Sequence, residues 1–348
     1  MLNVISSYSL LLSDRSGVEA ILLEMRRQME DATKTQETQK ESIKGFANAI
    51  RAHKNIVMLG MGASHCVNEI FSFQLRKVGI EAIAVTASEY LYDPFPLEDR
   101  LVLLTSQSGE SVETVRCLNL LTKAILYGIT LNADSTIGRN TRSLVAYGGS
   151  EKAFAGTRSV TLSLALMAYV SAELGVVSSD AVAAAIAFRQ GDSTTMRKAV
   201  ELLSSKSHII GTGRSLYSGL AQLFCLGGEE LGGRPIVFNE TGQLRHGPLE
   251  VLSHDSVLVI FRQKGLLGEL AASFENIHMR SGCHLVVIDS SGLAPLKEAL
   301  TITCPPGDDI VAALAVMETF QTLMIGYACN VNRMAGIPKY STKITVTE

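Results

Sequence analysis

The sequence has no tryptophan, few aromatic residues and almost no excess charge of either sign. Its 348 residues include 6% aromatic residues and carry a formal net charge of -3. Without an excess of positive charge, the chain offers no broad basic face that could hold a nucleic-acid backbone or an anionic membrane. An anion, if one binds, must be held locally by a few side chains and backbone amides.

Long apolar runs and closely spaced cysteines are also missing. The most apolar stretches, 160–174 and 311–328, are interrupted by polar residues or are too short for a membrane span. The N-terminus has neither the basic start nor the small-residue cleavage site of a secretory signal. The six cysteines are scattered, which suits reduced, buried thiols rather than disulfides or a zinc site. We therefore expect a cytoplasmic protein without a membrane segment or a metal.

The sequence does contain two series of short β-rich segments, which follow a helical stretch at 17–52. The first series is NIVMLG, EAIAVT, LVLLTS, GITLNA and SLVAYGG, and the second is SHIIGTG, RPIVFNE, SVLVIF, HLVVIDS and LTITCPP. Helix-length segments separate the strands, which is typical of βαβ units. The pattern predicts an α/β protein with two doubly wound domains in tandem, each a five-stranded parallel sheet flanked by helices.

The two series align at an offset of 151 residues, which indicates a repeat of whole domains. The offset places Gly60, Gly62, Ser64 and Glu89 on Gly211, Gly213, Ser215 and Glu240. An Ala-rich stretch at about 180–200 is predicted to be helical and to join the halves. The predicted boundaries are 1–50 for an N-terminal helical segment, 51–200 and 201–330 for the two domains, and 331–348 for a C-terminal tail.

Hydroxyl groups are concentrated in the loop after the third predicted strand. The loop reads Ser106-Gln107-Ser108-Gly109-Glu110-Ser111 and leads into a helix with apolar residues from Val112 to Leu121. Ligands of open parallel sheets bind beyond the carboxyl ends of the strands, and a helix N-terminus favours a phosphate group. The alternative is ordinary helix capping, which needs only one serine. At the equivalent place the second half reads Phe261-Arg262-Gln263-Lys264-Gly265 and has no hydroxyl.

Two glycine turns, Gly60–Ser64 and Gly211–Ser215, raise the possibility of a dinucleotide cofactor. Both lack the third glycine of the nucleotide fingerprint, and no acidic residue ends the second strand, EAIAVT. We therefore expect no nicotinamide or flavin cofactor. Gly62, Ala63 and Ser64 are predicted to lie beside a bound sugar phosphate, with helix capping as the alternative role of Ser64.

The second half supplies two candidates for acid–base chemistry. A helix predicted from about 215 to 231 places Glu230 in its last turn, where the negative end of the helix dipole raises the pKa of a carboxyl group. Glu229 is predicted to be a solvated surface residue. His246 precedes Pro248, a residue favoured at the start of a helix, where a neutral imidazole could shuttle protons. A purely structural histidine is the alternative.

These motifs resemble the sugar isomerase (SIS) superfamily, and within it the isomerase half of glucosamine-6-phosphate synthase and related phosphosugar isomerases and deglycases. The resemblance covers about residues 30–348. It includes the phosphate loop SQSGES at 106–111 and a glutamate, Glu230, sixteen residues before the histidine of QLRHGP, His246. The tail Ser341–Glu348 is similar to the family's LAKSVTVE and places the tail lysine at Lys343.

The resemblance implies an enzyme without a cofactor that acts on a ketose or ketosamine 6-phosphate. Glu230 would be the base that removes a proton next to the carbonyl or imine. His246 would come from the neighbouring subunit of a homodimer, and Lys343 would close over the sugar and stabilise the oxyanion. Four residues of the loop would hold the phosphate: Ser106, Gln107, Ser108 and Ser111.

The sequence departs from the synthase pattern in two places. It has Leu223 and Gly227 where synthase-type isomerases carry a further Glu and a Lys, and Leu2 rather than the Cys nucleophile of a glutaminase domain. No glutaminase activity is expected. Aldose–ketose isomerisation and fructosamine-6-phosphate deglycation both remain open. The alternative to an enzyme is a non-catalytic regulatory protein that senses a sugar phosphate. Residues 1–50 show no helix-turn-helix by which such a regulator would bind DNA.

Overall fold

The computed structural model describes residues 2–98, 100–345 and 347, and it divides the chain into two compact units. The first-sheet unit contains residues 23–187 and the tail from Pro338, whereas the second-sheet unit contains the residues up to Leu22 and residues 188–337. Neither unit is continuous in sequence. The residues up to Leu22 and the tail from Pro338 each group with the unit that is more distant in sequence, which the predicted boundaries do not anticipate.

Helices and strands alternate along the chain after a helical start. The start consists of α1 (Leu2–Ser9), α2 (Ser16–Thr38) and α3 (Lys40–His53). The first sheet follows as β1 (Asn55–Gly60), α4 (Ala63–Arg76), β2 (Glu81–Thr86), α5 (Ala87–Tyr92), β3 (Leu101–Thr105), α6 (Val112–Cys117), β4 (Ile125–Thr130), α7 (Thr136–Asn140) and β5 (Arg142–Val145). Helices α8 (Arg158–Glu173), α9 (Ser179–Ala187) and α10 (Ser193–Ser204) lead to the second sheet.

The second sheet repeats this alternation. It consists of β6 (His208–Gly213), α11 (Leu216–Gly232), β7 (Ile236–Phe238), α12 (Thr241–Leu244), a 3-10 turn (Pro248–Val251), β8 (Ser256–Arg262), α13 (Leu266–Leu270), α14 (Ser273–Ser281), β9 (His284–Asp289), β10 (Leu300–Thr303) and α15 (Ile310–Val331). The α/β architecture with two five-stranded parallel sheets is confirmed.

The two sheets have the same strand order. The first is β2-β1-β3-β4-β5 and the second, read from its opposite edge, is β7-β6-β8-β9-β10. All pairs are parallel, and the central strands β3 and β8 are buried along their whole length, which explains their continuous apolar runs. Strand order reverses between β1 and β3 and between β6 and β8, so the loops that follow these strands are the expected ligand sites.

Some predicted element boundaries were wrong. The segment GITLNA was placed three residues late, because β4 begins at Ile125. Only Ile236–Phe238 of RPIVFNE forms a strand, and α6 ends at Cys117 rather than continuing to Leu121. The Ala-rich stretch is broken into α9 and α10 by residues 188–192.

The helix α15 is long and apolar enough to cross a membrane by length and composition. The expectation that this stretch is too short or too interrupted was therefore wrong. In the structure 89% of its most apolar window is buried, and the helix packs against α1, α10 and α11 of the same unit. Its apolar surface is thus covered by protein, as in the core helix of a globular domain.

All six cysteines are buried thiols, as predicted, and none of them forms a disulfide within the described residues. Burial raises the pKa of Cys117, Cys304 and Cys329 to about 12. A thiol reacts as its thiolate, so these side chains are unreactive at neutral pH and contribute packing.

The turns that follow β1 and β6 correspond to each other at an offset of 153 residues. The predicted offset between the two halves, 151 residues, is therefore two residues too short at these turns. Gly62 precedes α4 with φ 51° and ψ -127°, and Ser215 precedes α11 with φ 51° and ψ -137°. Ser215, rather than Gly213, is therefore the structural counterpart of Gly62. A serine in this conformation is strained, because a Cβ atom disfavours positive φ.

Candidate functional site

The hydroxyl-rich loop after β3 is folded back on itself by hydrogen bonds. The Oγ atom of Ser106, which is 1% exposed, accepts from the Gly109 N–H at 3.1 Å and the Ser111 N–H at 3.5 Å. It donates to Ser111 Oγ at 3.1 Å, while Ser108 Oγ accepts from the Glu110 N–H at 3.1 Å. Ser106 therefore shapes the loop, and Ser108 and Ser111 remain partly exposed at its surface.

Glycine is required at the centre of this loop. Gly109 has φ 72°, and a Cβ atom there would lie 1.9 Å from Ser135 Oγ. Ser111 occupies the N-cap position of α6, but its side chain makes no capping hydrogen bond. Ordinary capping therefore does not account for this hydroxyl. Because α6 has only six residues, the amides and hydroxyls of the loop, rather than a long helix dipole, are what the loop can offer to an anion.

Gln107 carries an unpaired buried donor. Its Oε1 accepts from Ser159 Oγ at 2.9 Å, but its Nε2 is buried and has no partner among the described residues. An unpaired buried donor costs about 1–3 kcal/mol and is unusual in a native protein. A bound acceptor such as a phosphate oxygen could complete it.

The Gly62–Ser64 turn stands beside this loop, because β1 and β3 are neighbours. Ala63 begins α4, and the buried Ser64 lies inside the helix with Gly62 at the N-cap position. The alternative that Ser64 caps the helix is therefore wrong. Asn68, one turn further along α4, accepts from Thr105 Oγ1 at 2.6 Å and ties the helix to the end of β3. No spacing rule indicates this contact, because Asn68 and Thr105 are 37 residues apart.

The C-terminal tail lies on the first-sheet unit. The Nζ atom of Lys343 donates to the Phe154 carbonyl at 3.2 Å and lies 3.7 Å from Glu151 Oε2. The Thr345 carbonyl accepts from the N–H of Val112, the first residue of α6, at 3.0 Å. Lys343 is thus in the same unit as the hydroxyl-rich loop. Val346 and Glu348 of the tail motif lie outside the described residues.

Glu230 and Glu229 stand in the last turn of α11, as predicted, and both are exposed. Glu229 is more than a solvated residue, because its Oε1 accepts from the Ile236 N–H at 2.9 Å and so fixes the start of β7. Glu230 also interacts with another group. The exposed position of Glu230 leaves its carboxyl group accessible to a ligand.

His246 is exposed and lies between α12 and the single 3-10 turn that Pro248 begins. Its N–H donates to the Gln243 carbonyl at 3.0 Å. A helix that joins two parallel strands must run back across the sheet, so α11 carries Glu230 towards the amino end of β7. His246 comes only after β7 and α12. The connectivity therefore places these two residues in separate segments of the unit rather than in one loop.

Residues 49–172 match the SIS domain family. The matched part of the chain runs from α3 to α8 and includes all of the first sheet, the Gly62 turn, the hydroxyl-rich loop and Glu151. The predicted resemblance to the SIS superfamily is confirmed.

Curated proteins of known activity are also similar to the chain. The chain is 24% identical over 306 residues to a glutamine–fructose-6-phosphate aminotransferase (isomerizing) from Haemophilus influenzae, a match that covers 80% of the chain and 49% of the relative. The chain thus spans about half the length of the curated relatives it matches. The names of these relatives describe isomerising aminotransferases that act on fructose 6-phosphate.

Two solved structures have the same fold as the chain. One is the C-terminal domain of glucosamine-fructose-6-phosphate aminotransferase from Francisella tularensis, at 19% identity and a TM-score of 0.77, covering 92% of this chain and 98% of that one. The other is a tagatose-6-phosphate ketose/aldose isomerase from Escherichia coli, at 17% identity and a TM-score of 0.74, covering 89% and 91%. Both likenesses extend well beyond the SIS domain at 49–172 and include the second sheet.

Proposed function

We propose that the chain is a phosphosugar-processing SIS enzyme that removes a proton next to the carbonyl or imine of a ketose or ketosamine 6-phosphate. The observation that carries this proposal is the Ser106–Ser111 loop, which stands at the switch point of the first sheet and includes the unpaired Gln107 Nε2. Hydroxyls, loop amides and an unfilled donor together suit a phosphate monoester. The names of the relatives, which include two phosphosugar substrates, support this choice of ligand.

In the proposed reaction the phosphate positions the substrate, and three side chains carry the chemistry. Ser106, Gln107, Ser108 and Ser111 hold the phosphate, with Gly62, Ala63 and Ser64 beside the sugar. Glu230 removes the proton, and His246 assists ring opening and proton transfer. Lys343 lends positive charge to the oxyanion that develops. Binding energy from the remote phosphate thus aligns the reacting carbon.

We further propose a homodimer in which His246 of one copy serves the site of the other. The path of the chain supports this arrangement, since β7 and α12 separate Glu230 from His246 within one copy. The exposure of both side chains is also what residues that meet across copies would need in the isolated chain.

Within this class, the packing of α11 favours deglycation of fructosamine 6-phosphates over simple aldose–ketose isomerisation. Leu223 is 5% exposed, and a Cβ atom at Gly227 would lie 2.4 Å from Met324 Sδ on α15. A lysine at position 227 would have to displace the Met324 side chain, and position 223 is a buried apolar site, so the packing here does not match the polar pair of synthase-type isomerases. The members of the superfamily that split fructosamine 6-phosphates resemble this reduced pattern.

The test is incubation of the protein with fructosamine 6-phosphates, as amino-acid conjugates and as the ammonia adduct, and with ketose 6-phosphates. Deglycation is read as release of hexose 6-phosphate and amine, and isomerisation as formation of the aldose. Glu230→Gln should lower turnover by roughly 10²- to 10⁴-fold, the usual contribution of a general base, and leave phosphosugar binding nearly intact. Glu229→Gln, which keeps an acceptor for the Ile236 N–H, is the matched control.

Three outcomes separate the alternatives. Unchanged turnover in Glu230→Gln contradicts the base assignment. A rise in the required substrate concentration for Ser108→Ala that is equal for phosphorylated and unphosphorylated sugars contradicts the phosphate site. Tight binding of phosphosugars without any turnover by the unaltered protein supports the non-catalytic sensor instead.

A further inference from the structure

Glu151 is a buried carboxylate to which the proposed reaction assigns no role. The residue is 6% exposed and lies before α8. Its Oε1 accepts from the Thr157 N–H at 2.9 Å, Thr157 Oγ1 at 2.8 Å and the Arg158 N–H at 3.0 Å. Its Oε2 accepts from the Ser159 N–H at 3.2 Å and from Ser159 Oγ. Thr157, the N-cap residue, makes no side-chain cap of its own, so Glu151 caps the helix in its place.

The segment that carries Glu151 is held rigidly from its other side. Arg158 is fully buried, and its guanidinium donates to Glu24 Oε2 at 2.6 Å and Asp31 Oδ2 at 3.1 Å, both on α2. It also donates to the carbonyls of Tyr147 at 3.3 Å and Gly149 at 2.7 Å. Because two carboxylates and two carbonyls surround this cation, the backbone that leads into Glu151 has little freedom to move.

This fixed carboxylate touches the tail on one side and the hydroxyl-rich loop on the other. Lys343 Nζ lies 3.7 Å from its Oε2, and the Lys343 side chain is 30% exposed against 1% for Glu151. Ser159 Oγ contacts the same Oε2 and lies 2.9 Å from Gln107 Oε1. A hydroxyl has one proton and so donates to only one of these two acceptors at a time. A continuous polar path therefore runs from Lys343 through Glu151 and Ser159 to Gln107.

We infer that Glu151 is a positioning residue, which holds Lys343 over the phosphosugar and links the docked tail to the phosphate loop. The inference rests on the proposed function for the role of Lys343 in turnover. A ligand that orders Gln107 draws the Ser159 hydroxyl towards Gln107 Oε1 and leaves Glu151 Oε2 to Lys343. Because coupling between two sites is reciprocal, phosphate binding and tail docking should strengthen each other.

The first arm of the test measures tail docking without turnover. The chain has no tryptophan, so Tyr340→Trp, at a side chain that is 89% exposed and near Lys343, provides a single reporter. In this background Glu151→Gln and Lys343→Met should each lower the fluorescence anisotropy, and the double variant should lower it no further. Inorganic phosphate should raise the anisotropy of the parent but not that of Glu151→Gln. Unchanged anisotropy in both single variants overturns the inference.

The second arm measures turnover. Glu151→Gln should lower kcat about tenfold with little change in KM, and should cause no further loss in the Lys343→Met background, since the two residues act as one unit. An equal loss in both backgrounds would mean that Glu151 is merely structural. Lys343→Arg, which keeps the positive charge, should retain most of the kcat that Lys343→Met loses. Lys152→Met and Glu30→Gln, which alter exposed residues of the same unit, are the controls.

The two arms keep the failures of the two proposals apart. If the unaltered protein turns over no phosphosugar, the proposed function fails, yet the anisotropy arm still decides whether Glu151 holds Lys343. If Glu151→Gln does not fold, Ser159→Ala replaces it, because this change breaks the path without touching the tail. The tail should then stay docked but no longer respond to phosphate. A full phosphate response in Ser159→Ala overturns the link to Gln107.

Discussion

The two sheets share a strand order but differ at the end of their third strands. Thr105 of β3 pairs with Ile129, and the next residue is the hydroxyl-bearing Ser106. In the second sheet Phe261 of β8 pairs with Ile288, and the next residue, Arg262, pairs with Asp289. Arg262 therefore stands where Ser106 stands. Its guanidinium lies 3.1 Å from Asp289 Oδ2, and both residues are 4% exposed.

The residue that follows the third strand thus has a different environment in each unit. In the second-sheet unit an internal ion pair fills it, and Arg262 also donates to the carbonyls of Gly268 at 2.8 Å and Ala294 at 2.9 Å. In the first-sheet unit the position is left to short hydroxyls, and a neighbouring donor, Gln107 Nε2, is unpaired. Under the proposed function, the first-sheet unit is the one that receives an anion, because its loop offers hydroxyls and a buried donor that has no partner among the described residues.

The largest effect is expected when the ion pair between Arg262 and Asp289 in the second-sheet unit is removed. Arg262→Met leaves the Asp289 carboxylate buried without its partner, which typically costs about 3–5 kcal/mol of stability. Urea unfolding followed by circular dichroism measures the loss. Lys264→Met, at an exposed neighbouring residue, should have almost no effect. A loss well below 1 kcal/mol in Arg262→Met would show that the pair does not hold the ends of β8 and β9 together.

The corresponding change in the first-sheet unit should act on binding. Ser106→Ala removes the acceptor of the Gly109 and Ser111 amides, so the loop loses its shape. We expect KM for a phosphosugar to rise about tenfold, equivalent to roughly 1.4 kcal/mol, with kcat largely kept. Titration with inorganic phosphate should show the same loss of affinity. Ser273→Ala, at a partly exposed serine of the second-sheet unit, is the matched control, and equal effects of the two changes would remove the distinction between the units.

A smaller effect is expected at the strained turn. Ser215→Gly should stabilise the protein by about 1 kcal/mol, because glycine adopts positive φ without the steric penalty of a Cβ atom. Gly62→Ser should destabilise it by a similar amount. Thermal unfolding of both variants measures the pair of shifts. Equal signs for the two changes would contradict the structural equivalence of Gly62 and Ser215.

The smallest expected effect is on the pH dependence of stability. One histidine in each unit contributes to it, and the two contributions have opposite signs. Burial lowers the pKa of His65 in the first-sheet unit, where its Nε2 lies 3.7 Å from Glu69 Oε1. Its contribution to stability is thus present above the unfolded pKa of about 6.5 and is lost as pH falls through the folded pKa. Hydrogen bonds to the Cys283 carbonyl and to Glu298 raise the pKa of His278 in the second-sheet unit.

The contribution of His278 is therefore fully present below pH 6.5 and is lost as pH rises through its folded pKa. Histidine titrations by NMR check both directions. Stability profiles of His65→Gln and His278→Gln between pH 5 and 8 should diverge from the parent at opposite ends of that range. Divergence at the same end would contradict one of the two assignments.

The apolar patterns in the sequence predicted individual strands and helices well. The segments NIVMLG and EAIAVT are strands over their full predicted length, and the helix predicted from 215 to 231 runs from Leu216 to Gly232. These elements were predictable because their apolar segments are visible in the sequence, and glycines mark the ends of NIVMLG and of the helix. The loop serines were likewise visible as a cluster.

Contacts between distant residues were not predictable in this way. The capping of α8 by Glu151, the Arg262–Asp289 pair and the Thr105–Asn68 hydrogen bond each join side chains that no spacing rule connects. The same reason explains the wrong offset at Ser215, since a strained serine gives no sign of the conformation that glycine normally signals. Assigning the tail to the first-sheet unit also required the folded chain.

The discontinuity of the first-sheet unit has a consequence for the order of its assembly during translation. Residues 23–187 leave the ribosome before the whole of residues 188–337, and only then does the segment from Pro338 emerge. At roughly 5–20 residues per second, the interval lasts on the order of ten seconds. During that time the SIS domain can form its sheet and its loop, but Glu151 must wait for Lys343. If the proposed function holds, a nascent chain gains its phosphosugar-binding loop well before it gains the lysine that completes the site.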